Sequence, residues 1–124
     1  MLISLLAAFQ LAAAAGPVYS GRAGQITLAP PKFDTTVDID GRLDEPVWRQ
    51  AALLTGFSLY QPVDQRPAPD STAVSVWYSS TAIYFGIRAF QQRGTVAATL
   101  ADRDQVSADD NVEIHLDTFD ERNR

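Results

Sequence analysis

The sequence predicts an all-β fold, a β-sandwich with one short helix, and three observations carry the prediction. Residues 72–78 (TAVSVWY) and 82–90 (AIYFGIRAF) are rich in β-branched and aromatic side chains, and the polar Ser79-Ser80-Thr81 between them reads as a hairpin connection. Residues 112–117 (VEIHLD) alternate apolar and polar. Residues 43–54 (LDEPVWRQAALL) carry helical spacing, enough for two or three turns.

Residues 1–15 (MLISLLAAFQLAAAA) form an apolar run ending in small residues, with no charged side chain before Arg22. This reads as a secretory signal cut after Ala13-Ala14-Ala15, so the protein is expected to be exported to the periplasm, outer membrane or medium. A buried core helix is the alternative. A membrane anchor fits less well, because 15 helical residues reach about 22 Å against a hydrocarbon core of about 30 Å. Residues 16–32, with three prolines and three glycines, read as an extended linker.

Order is expected from Phe33, giving a domain over 33–124. Residues 35–39 (TTVDI) suggest a short strand, and Asp40-Gly41 a turn. In the helix Asp44 is the expected N-cap and Pro46 falls in the first turn. Val47 stacks on Ala51 and Trp48 on Ala52, and Gly56 marks the end. Residues 57–61 (FSLYQ) alternate like a strand, and the proline-rich 61–70 read as a surface loop. In the hairpin Val74, Val76 and Tyr78 share one face and Ser75 and Trp77 the other. Ile83, Phe85, Ile87 and Ala89 oppose Tyr84, Gly86, Arg88 and Phe90. The expected core face carries Val74 and Phe85, where an aspartate would bury an unpaired charge. Four or five strands are few for a sandwich, so the fold reads as incomplete at its C-terminal end.

Composition narrows the chemistry. Apolar residues make up 46% and charged residues 20%, a globular balance. Ten basic against fifteen acidic residues give a net charge of -5, which lacks the basic footprint nucleic acid requires. With no cysteine and one histidine, disulfides, thiolate nucleophiles, cysteine-ligated metals and multi-histidine zinc centres are excluded.

Each candidate residue has a functional and a structural reading. Trp48 on the helix reads as a core anchor. Trp77 either covers a second sheet or, on an open face, offers a platform for the C–H face of a sugar; Tyr60 presents the same choice. Asp102, Asp104, Asp109 and Asp110 either supply hard oxygens for calcium or form a solvated acidic loop. Glu113, His115 and Asp117 share one outward strand face. A catalytic reading pairs Glu113 with Asp117 as general acid and base, but four residues of strand would set them about 13 Å apart, beyond the roughly 5–10 Å a glycoside hydrolase uses, and exposed strands often carry such acids. His115 has no serine or cysteine motif with which to form a triad.

Three segments in order, IDGRLDEPVWRQA (39–51), AVSVWYSSTAIYFGIRAF (73–90) and DDNVEIHLD (109–117), resemble the family 9 carbohydrate-binding modules. The arrangement behind a signal sequence is most similar to a subgroup whose module precedes an outer-membrane β-barrel in the full-length chain. The resemblance implies a sandwich that binds glycan ends, with calcium supporting its loops. It implies Glu113 and Asp110 as ligand-site residues, and Trp77 joins them as the candidate platform. It also departs from the family: the expected stacking tryptophan is Ser107, and an expected calcium-ligating aspartate is Gln91. Sugar binding in carbohydrate catabolism is the first expectation. A structural or docking sandwich for a barrel is the second, and a fragment of a glycoside hydrolase, its catalytic domain elsewhere, the third. Fold alone does not choose among them.

Overall fold

A computed structural model describes residues 14–59, 66–68, 71–91 and 109–118. The chain divides into two units, Met1–Gln92 and Arg93–Arg124. Among its described residues the first unit holds four strands and one short helix: β1 (Val18–Ser20), α1 (Pro46–Gln50), β2 (Ala52–Thr55), β3 (Thr72–Tyr78) and β4 (Ile83–Ala89), with a single 3-10 turn at Gly21–Ala23. The strands form one mixed sheet in the order β1-β2-β3-β4. β1 runs parallel to β2, and the other neighbours are antiparallel. The β-rich class and the short helix therefore stand, as one four-stranded sheet.

The hairpin forms where the residue pattern puts it. Thr72 pairs with Ala89 at one end and Tyr78 with Ile83 at the other. Ser79 builds the turn: its amide donates to the Ala82 carbonyl at 2.8 Å, and its hydroxyl accepts from the amides of Thr81 and Ala82. Asp40 likewise accepts from the Arg42 amide at 2.8 Å, the turn that Asp40-Gly41 signals.

Five expectations are corrected. The helix stops at Gln50, because Ala51 turns extended at φ -64°, ψ 156° and delivers residues 52–55 into the sheet. A four-residue apolar run such as ALLT suits helix and strand alike, and pairing with strands on both sides decides for strand. Its N-cap is Glu45, with Pro46 beginning the helix, while Asp44 pairs with Arg42 instead. The stretch read as a linker contains β1, whose three residues lie beside Leu53, Leu54 and Thr55. Residues 35–39 form no strand; the pairing there comes slightly earlier, where Phe33 donates to the Tyr78 carbonyl at 2.9 Å and Tyr78 donates to the Pro31 carbonyl. Residues 57–59 hold only an isolated bridge, Ser58 to Pro67.

The packed side of the sheet is also the less expected one. Register puts Leu53, Ser75, Trp77, Tyr84, Gly86 and Arg88 on one face. There Val47, Ala51 and Trp77 are buried together, with Phe33, Val37, Trp48 and Tyr84 packed against them. The opposite face carries Ala52 and Val76, both buried, and Leu54, Val74, Phe85 and Ile87, half-buried. Gly86 explains why α1 and the loop before it settle on the first face. A Cβ there would stand 2.8 Å from Leu43 Cδ2 and from Trp48 Cζ3, so only a glycine lets those side chains reach the strand.

In the second unit the described residues 109–118 have no regular secondary structure. The expected strand over 112–117 with Val112, Ile114 and Leu116 inward is corrected: the three are 62%, 48% and 64% exposed. Alternation prepares a strand, but a strand needs a neighbour for its amides and carbonyls, and none pairs with this segment among the described residues.

Candidate functional site: the Trp48 cleft

Of the two readings open for Trp77, the structure shows the buried one, and Trp48 packs against the same core. Trp77 has an exposure of 0%. Tyr84, its cross-strand partner, stacks on it at 4.0 Å with the planes 8° apart. Phe33 and Trp48 meet it at tilted and edge geometries, 6.1 and 6.0 Å between centroids. A ring enclosed in this way offers no face to a sugar, so the expected platform at Trp77 is corrected to a core residue. Its Nε1–H is buried without an acceptor, a cost that stacking and burial outweigh.

Trp48 is the half-buried one. Helix α1 places it one residue after the buried Val47, where its ring meets Trp77 in a T-shaped contact. Glu45 fixes the ring: one carboxylate oxygen accepts from Trp48 Nε1 at 2.9 Å and the other from the Asp38 amide at 3.1 Å. A single side chain thus ties the tryptophan to the loop in front of the helix.

Trp48 and Leu43 line two clefts. The larger, about 490 Å³, is bordered by Leu43, Leu53 and Ala51 as apolar groups and by Asp44, Arg49, Ser75 and Arg88 as polar ones. The smaller, about 250 Å³, adjoins Ile83, Phe85 and Ile87. Arg88 is anchored by a bond from Nη2 to the Leu43 carbonyl at 3.3 Å. Asp44 accepts from Arg42 Nε at 2.9 Å. That bond, then the charges of Asp44 and Asp40, holds the Arg42 guanidinium above its already high pKa, so it stays a cation. The arrangement is an anchored aromatic beside a carboxylate, two guanidinium groups and a hydroxyl, in a concavity of ligand-site size.

The residues carried over from the resemblance lie in the second unit. Asp110 and Glu113 are exposed, and Glu113 Oε2 is 3.1 Å from His115 Nε2. That pair is largely solvated, 70% and 86% exposed at its side chains, and contributes little to stability. No group of three acidic or histidine side chains among the described residues is placed to hold a metal ion. Gln91 is described and exposed, whereas Tyr60, Asp102, Asp104 and Ser107 lie outside the described residues. Among the described residues no helix is long and apolar enough to cross a membrane.

Comparison of the chain with family models, with curated proteins and with solved structures gives no match. The cleft is therefore read from its own chemistry.

Sequence reasoning missed this cleft, because Trp48 shares a helical stripe with Ala52 and so reads as core. The signal available was Glu45, three residues before Trp48, which is one helical turn and within hydrogen-bond reach of an indole.

Proposed function

We propose that this chain is a sugar-binding β-domain of an exported protein, a sandwich similar to the family 9 modules, and that Trp48 is its platform. The observation that carries the reading is the anchored Trp48 indole lining a cleft of about 490 Å³ with Asp44, Arg49, Ser75 and Arg88. A pyranose presents C–H groups to an aromatic face and hydroxyls to fixed donors and acceptors, and this border supplies both. The half-buried face of Leu54, Val74, Phe85 and Ile87 is the one a second sheet of a sandwich would cover. Glu113 and Asp110 enter as further sugar contacts, on the resemblance alone.

The test is calorimetric titration of the exported chain with xylo- and cello-oligosaccharides. Heat with one site per chain is expected, and Trp48→Ala should weaken it at least about tenfold, the equivalent of about 1.4 kcal/mol. No heat from the folded protein, or unchanged affinity in the variant, refutes the Trp48 assignment. Glu113→Ala in the same titration separates the resemblance-based site from the cleft.

A second reading, a docking domain for an outer-membrane β-barrel, is favoured by one observation. Val112, Ile114 and Leu116 alternate along an exposed segment and offer an apolar row to a partner. In that case the titration is silent.

A further inference from the structure

Among the described residues the first backbone hydrogen bond along the chain is made by Gly16, the residue after the small-residue motif. Ala14 and Ala15 are exposed, while Gly16 is half-buried. The Gly16 amide donates to the Arg49 carbonyl at 3.1 Å, and the Pro17 carbonyl accepts from Leu53 at 2.8 Å. From Val18 onward the chain is β1, in register with β2. Position 16 is also one that only glycine fills: a Cβ would collide with the carbonyl oxygens of Gln50 and Ala51 and stand 2.6 Å from the Gln50 carbonyl carbon. The backbone of Gly16 therefore lies against the carbonyls where α1 ends, groups that a helix leaves without partners of its own.

We propose that the chain is cut between Ala15 and Gly16 and that the amine so freed is seated on the carbonyl of Arg49, beside those of Gln50 and Ala51. A peptidase adds water across the peptide bond: Ala15 departs as a carboxylate and Gly16 becomes an ammonium, with no change of oxidation state. The nitrogen that donated one neutral hydrogen bond now carries a positive charge and three donors. Charge-assisted bonds of this kind are about twice as strong as neutral ones. Ala15 and Gly16 both line the larger Trp48 cleft, so the cut also removes a wall residue and leaves a cation at the rim. The inference rests on the export reading and is independent of sugar binding.

The experiment starts from the full 124-residue chain, produced in a secreting bacterial host and recovered outside the cytoplasm. Intact mass and N-terminal sequencing should show a product beginning at Gly16 with an unmodified amine. An exported product that begins elsewhere overturns the proposal and leaves export standing; a chain retained uncut in the cytoplasm overturns both. On the exported product, the α-amine should react with an acylating reagent at least tenfold more slowly when folded than in urea, and equal rates overturn the seat. Gly16→Ser keeps a small residue after the cut but introduces the Cβ, so its Tm should fall by about 5 °C or more. An unchanged Tm counts against the seat. If that variant does not accumulate, the acylation rates of the unsubstituted product decide.

Discussion

Trp77 and Trp48 test the reading at the scale of single residues. Trp77 fills the centre of the packed face, so Trp77→Ala should cost about 3–5 kcal/mol in urea unfolding. Trp77→Phe should cost less than half as much. It keeps the ring stacked on Tyr84 and removes an indole N–H that has no acceptor. Equal losses for the two variants would mean that the indole donor is satisfied in solution. Glu45→Ala should release two donors, the Trp48 indole and the Asp38 amide, and cost about 1–2 kcal/mol. It should also shift tryptophan emission to the red as Trp48 loses its anchor; unchanged emission would refute the anchoring role. Both tryptophans stand out in the sequence as aromatic candidates. Which one is enclosed depends on which sheet face α1 covers, and residue pattern leaves that open, because Val74 and Phe85 make the other face equally apolar.

Legibility at the scale of elements follows the amount of local information. The hairpin is legible because strand pattern, polar connection and length all agree, and Ser79 supplies the turn bonds itself. β1 was not legible: three residues in a stretch rich in proline and glycine carry no periodicity, and only pairing with β2 makes them a strand. The division of residues 46–55 into helix and strand likewise depends on distant partners, Val74 to Val76 among them. The contact between β4 and the loop before α1 gives a sharp prediction. Gly86→Val would drive a branched side chain into Leu43 and Trp48, and should destabilise by about 1–3 kcal/mol. The same change should weaken any ligand of the Trp48 cleft, since it displaces the platform. A variant with wild-type stability would show that Leu43 and Trp48 move aside freely.

Stability is distributed unevenly over the whole molecule, and hydrogen exchange can read that distribution. The first unit concentrates its buried side chains between α1 and the strands β2, β3 and β4. Within the described part of the second unit, residues 110–117 are exposed throughout and have no regular secondary structure. Amides in a packed ladder exchange only when the sheet opens, whereas amides of exposed irregular chain exchange close to their intrinsic rates. Peptides covering Thr72–Tyr78 and Ile83–Ala89 should therefore retain deuterium-free amides for the longest times. Peptides covering 110–117 should exchange within seconds at neutral pH. Strong protection over 112–117 would contradict this and would restore the strand that the V-E-I-H-L-D alternation suggests. Adding an oligosaccharide extends the measurement to function. Binding at the Trp48 cleft should slow exchange around residues 43–49 and leave 110–117 unchanged, whereas a site at Glu113 reverses the pattern.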